Sequence, residues 1–362
     1  LINSKLVLGI ETSCDDTSIA ILEETSGEIK LLSHLKFGQE DLLKHWGGVV
    51  PEIAARNHLA KITPLLKDCF EIAKVSPEQV DLIAVTGLPG LLGPLLTGLN
   101  AAKSLALLYK KPVLGVNHLY AHLEAIHLTE TVTYPYLGML ISGGHSIYFW
   151  VQDKNSFSVL GSTIDDASGE AFDKGGKILG LGYPAGHIVD ALSNWGDPKK
   201  FKFPIGLQSS ADARLSFSGL KTSLRVFCEK NEGILEKKPK QYEKFESGSQ
   251  EFYDVCASYQ QAICSALLLK MKYAIKKAQS EYKAPKKFPI VIGGGVACNS
   301  LIRSAFKEKY PETKIVASKY CTDNGAMIAN YGRIHLEQAT PFPECLKLDA
   351  KGRFINKKDF NK

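Results

Sequence analysis

The segment VNHLYAHLEAIH, Val116 to His127, places three histidines in twelve residues. Ala121, Leu123, Glu124, Ala125 and Leu128 favour a helix there, and neither Gly nor Pro interrupts it. At 3.6 residues per turn His118 and His122 stand one above the other, while His127 faces the opposite side. Such a pair can ligate one cation if a third protein ligand arrives from elsewhere in the chain. The protease pattern H-E-x-x-H would put a general base directly after the first histidine. Here that position is Leu119, so hydrolysis of that kind lacks its base. The alternative is two polar residues on a partly wet helix face.

Two further groups of residues can do chemistry. Glycine-rich turns follow expected strands at Thr86 to Gly93, Ser142 to His145 and Gly293 to Gly295. Glycine lets backbone N–H groups approach an anion, and a helix beginning just beyond adds its positive end. Tight turns alone also use glycine. No P-loop and no G-x-G-x-x-G occurs, so a Rossmann dinucleotide site is not supported. In DDASGEAFDK, Asp166, Glu170 and Asp173 recur at helical spacings and can share one face. Three like charges there need water, a cation or donors such as ribose hydroxyls; a solvated face is the simpler reading.

The elements that must position these residues read as α/β. LVLGIETSCDDTSIAIL gives strands Leu6 to Ile10 and Ser18 to Leu22 around a polar turn. VVPEIAARNHLAKITPLLKDCFEIA gives a helix with Pro51 in its first turn and Pro64 as a kink or break. DLIAVTG is a buried strand, followed by a Gly and Pro loop, an apolar helix ending near Tyr109, and the strand PVLGVN before the histidine helix. From Tyr136 the pattern restarts: YLGMLISGGHSIYFWV is strand, turn, strand, and IVIGGGVACNSLI is strand, glycines, helix. The repetition predicts an internally duplicated architecture of two lobes with a cleft between them. The expected division is an N-terminal lobe over 1–127, with 325–345 packing back on it, a C-terminal lobe over 128–324 and a basic tail over 346–362. The charged stretch Glu229 to Gln250 reads as a surface excursion.

With 362 residues, 44% hydrophobic and 23% charged, the chain has ample core material. Its formal charge of +6 suits a polyanionic partner without identifying one. Eight cysteines without a C-x-x-C pair point to reduced thiols and no cysteine zinc site. The longest apolar stretch, from Ile83, is broken by Pro89, Pro94 and several glycines, so no membrane span is expected. The first residue is Leu1, which fits a removed organellar presequence or a trimmed chain equally.

Eight motifs then come in one order: GIETSCDDT (Gly9 to Thr17), GGVVPEIAARNH (Gly47 to His58), NHLYAH (Asn117 to His122), ISGGHS (Ile141 to Ser146), DDASGEAFDKGGKILGLGYPAG (Asp165 to Gly186), SFSGLKT (Ser216 to Thr222), GGGVACNSLI (Gly293 to Ile302) and CTDNGAMIA (Cys321 to Ala329). In that order they resemble the tRNA N6-adenosine threonylcarbamoyltransferases, the TsaD-like proteins, from about Leu6 to Gly332. The resemblance implies an actin-like, Hsp70-like (ASKHA) two-lobed fold. It also implies transfer of a threonylcarbamoyl group from threonylcarbamoyl-AMP to the adenosine 3′ of the anticodon in ANN-decoding tRNAs.

By the same resemblance His118, His122 and Asp323 bind one iron or zinc ion (Fe2+ or Zn2+). Leu140, Ile141, Ser142, Gly143, Gly144 and His145 contact the donor around its phosphate, and Asp173, Gly186, Asp190 and Asn299 contact its nucleoside. Where many bacterial members read P-G-G-P, this chain has Pro184, Ala185, Gly186 and His187. Glu11 is the candidate catalytic base, with Asp15 the alternative. Arg214, Lys221, Arg225 and the basic tail are candidates for tRNA phosphates. The expected partners are tRNA, a threonylcarbamoyl-AMP synthase supplying the donor, and a second copy of the chain, paired through the helices from Val50 to Phe70 and Leu95 to Tyr109. The bacterial-type S-G-G-H motif and the missing methionine suggest a mitochondrial setting. An ATP-binding kinase of the same fold and a metalloprotease-like hydrolase are the competing functions.

Overall fold

The computed structural model describes residues 4–43, 46, 48–231, 233–239 and 248–353. The chain forms two compact units, Leu1–Val132 with Lys319–Lys362, and Thr133–Ser318. These boundaries lie a few residues from the expected ones, and they place Asp323 in the same unit as His118 and His122. Part of the expected surface excursion (232, 240–247) and of the basic tail (354–362) lies outside the described residues.

The first unit opens with the antiparallel hairpin β1 (Ser4–Glu11) and β2 (Thr17–Thr25), extended by β3 (Glu28–Phe37). After the short α1 (Glu40–Leu43) and the long α2 (Pro51–Ala73), β4 (Leu82–Leu88) pairs parallel to β1. Helix α3 (Leu92–Tyr109) crosses to β5 (Val113–Asn117), and α4 (His118–Glu124) follows directly. The sheet order is β3-β2-β1-β4-β5. Alternate residues Leu8 and Ile10, Ile19 and Ile21, Ile83 and Val85 point to one face. There they pack with Ile62 and Cys69 of α2 and Leu95, Leu99 and Ala102 of α3. Helix α2 is continuous through Pro64, so of the expected kink or break the break does not occur. Pro64 and Ala60 are both on the exposed side, so water can hydrate the carbonyl that loses its partner.

The second unit repeats the scheme. β6 (Tyr136–Ile141), β7 (Ser146–Asp153) and β8 (Ser156–Ser162) form an antiparallel meander. Helices α5 (Ser168–Ile178), α6 (Gly186–Ser193), α7 (Ser218–Lys230) and α8 (Gln250–Glu281) precede β9 (Ile290–Gly293), which pairs parallel to β6. After α9 (Ser300–Lys309), β10 (Thr313–Ile315) completes the order β10-β9-β6-β7-β8. Each sheet thus has three antiparallel strands continued by two parallel ones, in the same sequence of connections, as the duplicated reading predicts.

Helix α10 (Gly325–Ile334) returns to the first unit and lies on β1 and β2. Its approach depends on glycines at the contact. A Cβ on Gly9 would sit 2.2 Å from the Gly325 carbonyl oxygen and 2.5 Å from Ala329 N, and one on Gly325 would sit 2.8 Å from Ala20 N. Among the described residues no helix is long and apolar enough to cross a membrane.

Candidate metal centre

Asn117 ends β5 and caps α4, its side-chain oxygen accepting from Leu119 N–H at 2.9 Å. The cap starts the helix at His118, so His118 and His122 occupy successive turns of one face with ring centroids 4.6 Å apart, edge-on. The third member arrives from the segment before α10. Asn324 caps that helix through Met327 N–H and donates to the Tyr320 and Thr322 carbonyls, which fixes the neighbouring Asp323. Asp323 Oδ1 lies 3.1 Å from His122 Nε2 and 3.5 Å from His118 Nε2, and the two Nε2 atoms are 3.2 Å apart. Three donors of a tetrahedral site at bond lengths of about 2.0–2.2 Å stand about 3.4 Å from one another. The triangle therefore fits a divalent cation without rearrangement, and among the described residues these three form the only such group. His127 lies outside it, 3.7 Å from Glu124.

Glu11, at the end of β1, is fully buried. Its Oε2 accepts from Thr86 Oγ1 at 2.6 Å and faces His118 Nδ1 at 3.0 Å, while Oε1 accepts from Ser13 N–H at 2.5 Å. The carboxylate thus holds a proton on His118 Nδ1 and turns Nε2 to the centre, where it can bind a cation once its own proton is displaced. A base needs a free oxygen within reach of its substrate. Both Glu11 oxygens accept bonds inside the protein, and Oε2 is turned to His118. His122 Nδ1, in contrast, is buried with no hydrogen-bond partner among the described residues.

The electrostatics favour a cation. Burial works to raise the Glu11 carboxyl, but the charge and hydrogen bond of His118 carry it below its usual range. Burial likewise opposes ionisation of Asp323, and His118 and His122 overcome it. His118 is pulled down by burial and pushed up by Glu11 and Asp323, to about 9. Burial lowers His122. At neutral pH two carboxylates therefore share one imidazolium and one neutral ring, leaving a net negative centre.

In the second unit the Ser142–His145 turn is closed by Ser142 N–H to the His145 carbonyl at 2.8 Å and by His145 N–H to Ser142 Oγ at 3.2 Å. Gly143 and Gly144 are exposed, with open space where their Cβ atoms would be, so their backbone is accessible to an anion. Leu140 and Ile141 lie at the end of β6, their side chains buried and the strand paired to β7. Asp173 Oδ1 accepts from Ala185 N–H at the start of α6, next to Gly186. Asp190 accepts from Ser300 N–H and Oγ, and Asn299 caps α9 while donating to Gln260. A hollow of about 370 Å³, lined in part by Ser193, Asn194, Gln260, Ser300 and Ser304, adjoins them. The acidic face expected from Asp166, Glu170 and Asp173 is neutralised: Lys174 bridges Asp166 and Glu170, and Lys221 binds Asp166.

The profile of the tRNA N6-adenosine threonylcarbamoyltransferase family matches residues 30–330. The chain belongs to this family. It is 42% identical over 332 residues to a tRNA N6-adenosine threonylcarbamoyltransferase of Anaeromyxobacter sp. (strain Fw109-5), covering 90% of this chain and 93% of the relative. It is 41% identical to the protein of the same name from Thermosipho africanus, covering 90% and 93%. Among solved structures, component A of the (R)-2-hydroxyglutaryl-CoA dehydratase of Acidaminococcus fermentans superposes with a TM-score of 0.51 at 16% identity, over 95% of this chain and all of that one. That likeness concerns the fold alone, and it agrees with the actin-like, two-lobed class.

Three residues of this threonylcarbamoyltransferase centre escaped the sequence reading. Ser13 and Thr86 hold Glu11, and His58 of α2 binds Thr17 Oγ1 at 2.7 Å and the Cys14 carbonyl at 3.0 Å, securing the loop after β1. A polar threonine in the otherwise apolar strand DLIAVTG was the one available signal. Two of the expected phosphate contacts are engaged elsewhere, Lys221 with Asp166 and Arg214 with Asp212.

Proposed function

We propose that this chain transfers the threonylcarbamoyl group of threonylcarbamoyl-AMP to the exocyclic amine of the adenosine 3′ of the anticodon in ANN-decoding tRNAs. The observation that carries the reading is the His118, His122 and Asp323 triangle, oriented by Glu11, in a chain of this family. In the reaction the amine nitrogen bonds to the carbamoyl carbon and the bond from that carbon to the phosphate oxygen breaks. AMP leaves with the bonding pair and the amine sheds one proton. The adenine amine is a weak nucleophile, so assistance falls on the electrophile. A divalent ion held by the three side chains, Fe2+ or Zn2+, supplies Lewis acidity when bound.

The remaining work belongs to the chain. Glu11 sets the tautomer of His118. Backbone N–H groups of Gly143 and Gly144 are the assigned phosphate contacts, since that of Ser142 closes the turn, and Asp173, Gly186, Asp190 and Asn299 the assigned nucleoside side. Asp15 is the better candidate for the proton: it is partly exposed, and burial, then the charge of Asp323, raises its pKa, the direction a base working near neutrality needs.

The buried Leu119 between the histidines gives the hydrolase alternative no base, and a kinase gives the donor triangle no role. Incubating the purified protein with threonylcarbamoyl-AMP and unmodified tRNA tests the proposal: mass analysis of the nucleosides should show the modified adenosine at the position 3′ of the anticodon, and its absence with fully metallated protein would refute the assignment. Threonylcarbamoyl-AMP synthase is the assigned source of the donor. Pairing of two copies is supported by exposed Leu59 and Ile72 on α2 and Leu107 and Leu108 on α3, and is checked by sedimentation. The mitochondrial setting rests on the bacterial-type S-G-G-H motif, and imaging of the tagged full-length protein tests it.

A further inference from the structure

We infer that the loop between α6 and α7, displaying Lys199, Lys200 and Lys202, is a docking surface for the RNA backbone, built on side chains that have no assigned part in the reaction. The inference rests on tRNA being the substrate. Four hydrogen bonds pin the first part of this loop, Trp195 to Phe201, to α8. Gln250 donates to the Trp195 carbonyl at 2.8 Å, Asp197 N–H donates to Asp254 Oδ1 at 2.7 Å, Phe201 N–H donates to Ser258 Oγ at 3.1 Å, and Ser258 Oγ donates to the Asp197 carbonyl at 3.2 Å. Gly196 lies so close to α8 that a Cβ would fall 2.1 Å from the Tyr253 carbonyl oxygen.

The sequence KKFKF alternates across this support. Phe201 and Phe203 turn inward, with ring centroids 4.8 and 5.7 Å from Phe227 of α7, and Phe203 also meets Tyr259 of α8 at 5.9 Å. Lys199, Lys200 and Lys202 are left on the solvent side, all exposed. Lys230, exposed and one turn beyond Phe227, adds a fourth positive charge on the same side of α7. None of the four forms an ion pair among the described residues. Of the two acidic side chains in the loop, Asp197 accepts the Lys199 N–H and Asp212 is paired with Arg214. Trp195, 56% exposed, stands at the edge of the same loop and offers a face on which a base can stack.

The chemistry selects the partner. A rigid row of unpaired ammonium groups beside an exposed indole matches a flexible polyanion that carries aromatic bases, and the rigid support removes much of the ordering cost of binding. Lys221 and Arg214 lack this freedom because carboxylates already hold them. Arg225 lies on the opposite face of α7 from Phe227.

The test uses the full chain and labelled, unmodified ANN-decoding tRNA in an anisotropy titration over a series of salt concentrations. The triple variant K199A/K200A/K202A should bind roughly tenfold or more weakly at moderate salt, and the slope of log affinity against log salt should fall by about 3, one for each phosphate that is no longer neutralised. K199Q/K200Q/K202Q should reproduce this with an unchanged thermal melt, and affinity for threonylcarbamoyl-AMP should stay at the wild-type value. In a Trp46→Phe background, where the remaining Trp150 is buried, tRNA should quench the emission of exposed Trp195. A triple variant with wild-type affinity and slope overturns the surface assignment. A wild-type protein that fails to bind tRNA at all overturns the functional reading beneath it. Equal, lysine-dependent affinity for polyglutamate would make the surface a protein-docking site and overturn the RNA assignment.

Discussion

Replacing Glu11 by Gln probes the centre with the smallest change of shape. Glu11 presents only acceptors, and all three groups around it are able to donate: Ser13 N–H, Thr86 Oγ–H and His118 Nδ1–H. Glutamine has one oxygen and one NH2. Whichever way the amide is turned, a donor meets a donor, and the least costly escape is for His118 to move its proton to Nε2. That proton then points at His122 and Asp323, where a cation would bind. Loss of one hydrogen bond to a charged group costs about 1.5–3 kcal/mol, and loss of an outer acceptor on a ligating histidine lowers metal affinity about 10–100-fold. The two ranges agree, since a factor of ten is about 1.4 kcal/mol. The assay is competition of chelator-stripped protein against a zinc-binding dye, with Thr86→Val as a milder companion that leaves the carboxylate and costs less than tenfold. An E11Q protein with wild-type metal affinity and no transfer would refute the orienting role and restore Glu11 as the base.

Other outcomes follow from the same geometry. His122→Ala removes one of the three donors, so metal content by elemental analysis should fall well below one per chain while the circular dichroism spectrum is kept; full occupancy would exclude this centre. Because His118 carries its proton up to about 9 in the absence of metal, a cation must displace that proton. Apparent zinc affinity should therefore rise with pH, by at most about tenfold per unit, and level off above that value; a flat titration between pH 6 and 9 would contradict it. Gly9→Ala forces a methyl into the Gly325 carbonyl and Ala329, which should destabilise the first unit by about 1–3 kcal/mol or more in denaturant unfolding. Because α10 carries Asp323 just before its cap, the same variant should also bind metal more weakly.

Local periodicity determined a good deal about this protein. Strand alternation and helix spacing gave the two repeated α/β halves, and the four-residue separation of His118 and His122 placed both rings on one face, because 3.6 residues per turn is a property of the backbone alone. The ordered motifs then carried the family and the identity of Asp323. What the spacing could not give was how Asp323 reaches histidines about 200 positions earlier. That depends on two facing glycines letting α10 settle onto β1 and β2. Nor did any pattern separate Glu11 as a base from Glu11 as the partner of His118, since the distinction lies in which donors fill its oxygens, and these come from three separate segments. Pro64 and Lys221 show the same limit: solvent on one side of α2 makes the proline harmless, and Asp166 takes the lysine out of the free positive charge. Each outcome depends on which groups the folded chain brings within about 3 Å, and sequence separation carries no record of that distance.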